Sequence, residues 1–366
     1  MLRVVHVYKD IYPVVGGIEN HIRLLCRELA RQPDIQPHIL VANPRRRSEA
    51  GRLDGVPVTR AASLATVAST PLSPRLALEL RRLRPDLVHL HFPYPIGEVA
   101  ALLAVPNVPT MITYHSDIIR QRSLLLLYGP LLRIVLRRAR AIIATSGAYL
   151  KSSEWLAPNR DRCVVIPLGI DLAPFLPLQP RGDGHTILFV GRFRYYKGLH
   201  FLLDALPQIP NARLILVGSG GQESALRAQT TRLGLDGRVE FVTQVQDADL
   251  PRLYASADLF VLPACERSEA FGLVLAEAAA AGLPLVSTEL GTGTSYVNID
   301  QQTGLVVAPR DSAALARACN QLLADSALRA LYGAAARARA REHFSIDRVA
   351  NQVADLYREV AAGERG

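Results

Sequence analysis

The chain has 366 residues, 49% hydrophobic and 20% charged, with a net charge of +9. That composition excludes a disordered chain, and the length favours two cores over one. The most apolar region, residues 124–136, is broken by Gly129, Pro130 and Arg133. It falls short of the roughly 20 residues of a membrane span. No leader segment precedes the first strand, so a cytoplasmic protein is expected. Four cysteines, Cys26, Cys163, Cys265 and Cys319, lack C-x-x-C spacing and read as reduced, buried thiols. The basic excess lies in residues 1–180. It suits an acidic partner, such as a phosphorylated acceptor or the anionic inner face of the cell membrane. No nucleic-acid-binding pattern accompanies it.

Short apolar runs alternate with helical patterns along the whole chain, which is the signature of parallel sheets covered by helices. In the first half, strands are expected over residues 4–8, 38–41, 87–91, 111–114, 142–145 and 164–166, with helices at 19–31 and 74–84. In the second half, strands are expected over 187–190, 214–217, 239–242, 259–262 and 285–287. Residues 167–184, with four prolines and three glycines, separate the halves. The Ala/Arg-rich stretch 328–341 reads as a solvated helical face. In open parallel sheets ligands bind beyond the carboxyl ends of the strands, so the loops that follow strands carry the argument.

After the first strand, Gly16 and Gly17 permit close backbone approach to a ligand. After the third, Phe92-Pro93-Tyr94-Pro95 would form a rigid wall for an acceptor or pack upon itself. After the fourth comes Tyr114-His115-Ser116-Asp117, where His115 could donate to a sugar hydroxyl. In the second half, Gly191-Arg192 and Lys197-Gly198 flank a loop with two cations that suit a diphosphate. Gly218-Ser219-Gly220-Gly221 resembles a nucleotide-binding turn but fails as a dinucleotide fingerprint, because Glu223 stands where the third glycine belongs.

The most informative stretch is Glu269-Ala-Phe-Gly-Leu-Val-Leu-Ala-Glu277. A buried strand precedes it, and a helix over 272–281 with a Gly282 stop is expected within it. Glu269 then lies in a loop and Glu277 about a turn and a half into the helix. The helix start at Phe271, Gly272 and Leu273 offers backbone donors and a positive dipole end to phosphate. Eight helical residues span about 12 Å, roughly the reach of a sugar, a diphosphate and a ribose. Ionised carboxylates are acceptor-only and suit neighbouring hydroxyls.

This E-x7-E signature, with its internal Phe-Gly-Leu, resembles the retaining glycosyltransferases of family 4. The resemblance extends over nearly the whole chain. It implies the α/β GT-B fold, two Rossmann-like, doubly wound parallel-sheet domains facing a central cleft. The expected organisation is an acceptor-binding domain at 1–170, a linker at 171–184, a nucleotide-sugar-binding domain at 185–345, and a final helix at 346–366 packing back on the first domain. The resemblance places Gly16 and Gly17 beside the donor phosphates and His115 near the transferred sugar. Asp117 would act through the acceptor or through His115. Gly191, Arg192 and Lys197 correspond to a diphosphate clamp, and Val242 and Gln244 to the base contact. Glu269 would hold the sugar, Ala270 to Leu273 the diphosphate, and Glu277 the ribose. Tyr12 and Tyr94 are acceptor candidates.

Two departures stand out: Cys265-Glu266-Arg267 replaces the usual small polar residues, and Ala270 stands where glycine is common. The expected activity is metal-independent, retaining transfer of a hexose, mannose-type favoured, from a GDP- or UDP-sugar to a saccharide or lipid-linked acceptor of the cell envelope. No cofactor is expected beyond that co-substrate. An epimerase or phosphorylase on the same fold, and a non-catalytic nucleotide-sugar binder, are the alternatives. A dehydrogenase is disfavoured, because the loop after the first strand lacks G-x-G-x-x-G.

Overall fold

A computed structural model describes residues 1–14, 16–67, 70–118, 122–180, 182–246 and 248–364. Two compact units divide the chain: Met1–Gly169 with Ile346–Gly366, and Ile170–Ser345. Residues 171–184, expected as a linker, are thus counted with the second unit.

The first unit holds β1 (Leu2–Tyr8), β2 (Ile35–Asn43), β3 (Glu49–Leu53), β4 (Val56–Ala62), β5 (Ala65–Val67) and β6 (Thr70–Leu72). It continues with β7 (Leu87–Phe92), β8 (Thr110–Tyr114), β9 (Ala141–Ala144) and β10 (Cys163–Val165). The main sheet runs β10-β9-β8-β7-β1-β2-β4-β3, parallel except for β3 against β4. Residues of β1 and β7 are buried on both faces, as strands inside a parallel sheet must be. The β3–β4 hairpin, absent from the sequence expectation, turns at Asp54 and Gly55, both with positive φ (49° and 82°). An Asp-Gly pair of this kind matches the twist of a two-residue hairpin. Residues 49–53, Glu-Ala-Gly-Arg-Leu, are largely exposed and show no apolar alternation to announce the strand.

The last helix, Ile346–Ala361, buries Ile346, Val349, Ala350, Val353, Ala354 and Tyr357 at i, i+3, i+4 spacing. That stripe packs on the helix Gly17–Leu29 and on one face of the sheet, within a single apolar cluster that includes Val4, Leu87 and Met111. Gly169 permits the approach: a Cβ there would sit 2.8 Å from the Ile346 Cα.

The second unit holds β11 (Thr186–Val190), β12 (Arg213–Val217), β13 (Val239–Val242), β14 (Leu259–Leu262), β15 (Leu285–Thr288) and β16 (Gly304–Val307). The order is β13-β12-β11-β14-β15-β16, all parallel. The chain leaves β11 in one direction and returns on its other side at β14. The strand order therefore reverses between these two strands, the position at which such sheets open a ligand crevice. The helix Ser326–His343 is not wholly solvated, in contrast to the expectation for 328–341. Tyr332, Gly333, Ala336 and Ala340 form a buried stripe, and a Cβ on Gly333 would lie 2.2 Å from the Gly282 carbonyl oxygen. Small residues made this stripe hard to recognise, because alanine is compatible with either environment.

Gly169→Val is expected to lower the thermal unfolding midpoint, by about 1–3 kcal/mol of overpacking strain. Gly147→Ala, where no atom lies within 4 Å of the new Cβ, serves as the neutral control in the same melting experiment.

Candidate active site

In the second unit, the loops that follow β11 and β14 meet at the switch point. Lys197 Nζ lies 2.5 Å from Glu269 Oε2, and both residues are about 8% exposed. Burial works to strip the proton from Lys197. The Glu269 charge and hydrogen bond, helped by Tyr196 and Glu277, outweigh it and raise the pKa. The result is a desolvated ammonium held ready beside a carboxylate.

Glycine geometry lets the loops close on one another. Gly198 has φ 66°, and a Cβ there would fall 2.0 Å from the Pro263 carbonyl oxygen. The Cys265 N–H donates to the Tyr196 carbonyl at 2.8 Å. Gly191 lies against Lys197: its absent Cβ would be 3.7 Å from Nζ. Arg192 is exposed on the same loop.

The second carboxylate belongs to the same surface. The helix Leu273–Ala281 begins at Leu273, one residue later than expected, with Gly272 as its N-cap at φ 81°. No side chain caps this start, and its first turn carries no acidic residue. Phe271 is buried, its ring edge-on to Phe344 at 5.9 Å. Thr292 donates its hydroxyl to the Glu269 carbonyl at 2.8 Å, and the Gly293 N–H donates to the Ala270 carbonyl at 2.7 Å. The 292–293 segment thereby sets the backbone that carries Glu269. Glu277 is half-buried, and its Oε2 accepts from the Tyr254 hydroxyl at 2.8 Å. Arg267, one of the two sequence departures, donates to the carbonyls of Leu290 and Gly291 at 3.2 and 3.1 Å. It braces the neighbouring loop. Val242 ends β13, where its carbonyl accepts from Gly218 N–H, and Gln244 is exposed beyond it.

In the first unit, Gly16 caps the helix Gly17–Leu29 with an extended φ of −166°. A Cβ there would lie 2.2 Å from Glu19 Oε2, so glycine makes room for a carboxylate folded over the helix start. Val15, between the two prolyl and glycyl parts of that loop, lies outside the described residues. His21 follows one turn into the helix, hydrogen-bonds the backbone of Gly169, and stands edge-on to His115 at 6.0 Å. His115 follows the end of β8, is 3% exposed, and its Nδ1 is buried with no hydrogen-bond partner. Burial, then the His21 charge, hold its pKa well below 6.5.

The three acceptor candidates sit in different surroundings. Tyr94, a candidate acceptor wall, is 2% exposed and donates its hydroxyl to the Pro71 carbonyl, so this loop is packed by its own side chains. Asp117 Oδ1 accepts from the hydroxyls of Tyr114 and Ser153, each at 2.8 Å, and its N–H donates to the Tyr149 hydroxyl. It orders the loop after β8. Tyr12 is exposed, with Arg23 stacked 5.4 Å from its ring centre. The sequence reading missed Tyr254, which holds Glu277, and the hydrogen bond by which Thr292 holds the Glu269 backbone. It also missed His6, His21 and His89. Their signal was present for the strand residues: a polar imidazole at alternate positions of otherwise apolar runs.

Comparison with known proteins gives these loops a context. A family model described as glycosyl transferases group 1 matches residues 177–339, and one described as glycosyltransferase family 4 matches residues 15–174. The O-antigen chain mannosyltransferase C of Escherichia coli is 36% identical over 97% of this chain and 98% of its own length. This chain belongs to the family 4 glycosyltransferases. Another member, the D-rhamnosyltransferase WbpZ of Pseudomonas aeruginosa, is 38% identical over 94% of this chain and 92% of its own. Among solved structures, sucrose-phosphate synthase from Thermosynechococcus elongatus superposes with a TM-score of 0.82 at 23% identity, covering 99% of this chain and 100% of that one. HepE from Anabaena, solved with UDP and glucose, gives 0.79 at 21% identity, covering 98% and 100%. At these identities the likeness establishes the GT-B fold, with its two Rossmann-like parallel-sheet domains. No helix among the described residues is long and apolar enough to cross a membrane.

This glycosyltransferase carries five fully buried histidines in its first unit, and burial depresses all of them. His6 falls to about 3 and His21 to about 4, while His89, His91 and His115 lie well below 6.5. Each takes up a proton on unfolding once the pH is under about 6.5, contributing roughly 1.4 kcal/mol per pH unit of lost stability. Glu98, whose burial raises it to about 8, has the opposite slope between its unfolded value and about 8, but it is one group against five. The thermal midpoint of the first unit should therefore drop steeply from pH 6.5 to 5. A profile flat over that range, followed by calorimetry, would show that these imidazoles are already charged in the native state.

Proposed function

We propose that this glycosyltransferase moves a mannose-type hexose, with retention of configuration, from a nucleoside-diphosphate sugar to a saccharide or lipid-linked acceptor in cell-envelope synthesis. The observation that carries the donor assignment is the Lys197–Glu269 pair at the β11/β14 switch point, next to an uncapped helix start. As the anomeric carbon–oxygen bond breaks, negative charge grows on the diphosphate. Lys197, Arg192 and the backbone donors at the start of the 273–281 helix are assigned to it, since preorganised charge in a desolvated site needs no reorganisation. Gly191 leaves room for the phosphates beside the ammonium, and Gly16 and Gly17 are assigned to the donor as the family resemblance implies.

Glu277, oriented by Tyr254, is assigned to the ribose hydroxyls, and Val242 and Gln244 to the base. Glu269 and His115 are assigned to hydroxyls of the transferred sugar. The acceptor hydroxyl attacks the face from which the diphosphate leaves, and its proton passes to the departing phosphate. Mannose is favoured by the activities for which the relatives are named, an O-antigen mannosyltransferase and a D-rhamnosyltransferase. UDP binding by HepE keeps uridine beside guanosine as a candidate base. Lys197 and Arg192, as cations assigned to the diphosphate, would supply the charge that a metal ion otherwise brings, which supports metal-independent transfer. The basic excess of residues 1–180 suits a phosphorylated lipid acceptor at an anionic membrane surface.

Calorimetric titration with GDP, UDP, ADP and dTDP and their sugar conjugates tests the reading. One nucleotide should bind tightly, and Lys197→Ala and Glu277→Ala should abolish that binding. With the donor so named, transfer should persist in excess EDTA, and the new linkage should keep the donor's anomeric configuration by NMR. Glu269→Ala, Lys197→Ala and His115→Ala should each lower turnover by about a hundredfold or more. Folded protein that binds none of the nucleotides would remove the donor assignment.

A further inference from the structure

His115 is the outer end of a buried chain of imidazoles. The parallel register sets His6 opposite His89 and His91 opposite Thr113. Side chains two apart along a strand share a face, so His6, His89, His91, Thr113 and His115 all lie on the face covered by the last helix. Thr113 Oγ1 is 2.7 Å from His89 Nε2, and His89 Nδ1 is 2.6 Å from the Tyr357 hydroxyl. That hydroxyl is 3.2 Å from His6 Nε2. His6 Nδ1 is 3.1 Å from His91 Nε2, and His91 Nδ1 is 3.1 Å from His115 Nε2. The four rings are at most 3% exposed. The chain ends at His115 Nδ1, which is buried and unpartnered.

The inventory of protons leaves few ways to satisfy these contacts. A neutral imidazole has one N–H and one bare nitrogen, and the single Tyr357 proton can serve only one neighbour. If Thr113 donates to His89, every later link follows, and all four histidines carry their proton on Nδ1. If His89 donates to Thr113, every link reverses, and all four carry it on Nε2. Any mixture leaves two bare nitrogens or two N–H groups facing each other, or, where both His89 and His6 donate to Tyr357, the buried hydroxyl proton without an acceptor, each of which is costly.

Ring nitrogens of His6, His89 and His91 also lie within 4.8 Å of one another, a spacing that could hold a metal ion. Both nitrogens of each of these three rings are already engaged in the hydrogen bonds above. The contacts therefore favour a proton-ordered chain over an ion site.

We propose that Tyr357, His6, His89 and His91 are positioning residues that lock His115 into one tautomer, all four imidazoles switching together or not at all. The last helix, through the Tyr357 hydroxyl, thus ties the donor or acceptor state of His115 Nδ1 to the state of His89 at the inner end. In the all-Nδ1–H arrangement His115 donates to a ligand oxygen. A ligand that instead donates to Nδ1 requires the whole chain to reverse. Only the kinetic consequence rests on the assignment of His115 to the transferred sugar.

The test is long-range proton–nitrogen NMR of the ligand-free protein, in which the two tautomers give distinct nitrogen shifts. His6, His89, His91 and His115 should all show the same tautomer. In Tyr357→Phe, which keeps the ring and removes only the link, His89 and His115 should lose that concordance. Thr113→Val cuts the inner end and provides a second variant if the first fails to fold. Discordant tautomers in the unmodified protein would overturn the chain, as would a stoichiometric transition metal found by elemental analysis of the purified protein. With donor and acceptor supplied, Tyr357→Phe should lower kcat about tenfold while KM for the donor stays within about twofold. Concordant tautomers with no effect on kcat would retain the chain but overturn its positioning role. A protein without transferase activity would still report its tautomers, so failure of the functional reading is seen separately.

Discussion

The second unit is built around a buried ammonium–carboxylate pair. Lys197 and Glu269 come from loops about seventy residues apart in sequence, and they meet because the strand order reverses between β11 and β14. Removing either charge from such a desolvated pair leaves the other uncompensated. The neighbouring features read as consequences of that closeness. Gly198 admits the Pro263 carbonyl, and Gly293 admits the backbone at Ala270 and Phe271. Thr292 pins the Glu269 carbonyl. Loops this tightly cross-braced keep a buried charge pair in place without the help of a ligand.

The first unit handles polarity differently. Its sheet face beneath the last helix mixes a large apolar cluster with a row of neutral imidazoles. Buried polar groups are tolerable only where their hydrogen bonds are made, and here histidines, a threonine and a tyrosine satisfy one another. The last helix contributes both to the packing and, through Tyr357, to the hydrogen bonding. One segment therefore couples the stability of this unit to the state of His115. Glu98, buried on the helix Pro95–Ala104 with one oxygen unpartnered, is another polar group retained inside this unit.

The departures from the family pattern acquire a physical reading in this setting. Arg267 replaces a small polar residue, yet its guanidinium satisfies two carbonyls of the adjacent loop. Ala270 needs no special backbone freedom, because the positive φ falls two residues later at Gly272. Both substitutions are thus absorbed by local structure, and the positions of Glu269 and Glu277 do not depend on them.

By itself the sequence determined the two-sheet α/β architecture, most strand positions, and that Lys197 and Glu269 lie in loops that follow strands. Apolar runs of the right length, glycines at strand ends and paired carboxylates are local signals, and local signals survive in one dimension. It left the β3–β4 hairpin unread although Asp54-Gly55 announced it, because Glu49–Leu53 carries no apolar alternation. Only the tertiary structure decided which side chains are free to act. Tyr94 and Asp117 read as binding residues, but their polar groups are engaged by Pro71, Tyr114 and Ser153. The hydrogen bonds of Tyr254, Thr292 and Tyr357 had no local signal, since each reaches a group between 23 and 351 residues away. Strand order and register bring such partners together, and neither is written in any single stretch of the chain.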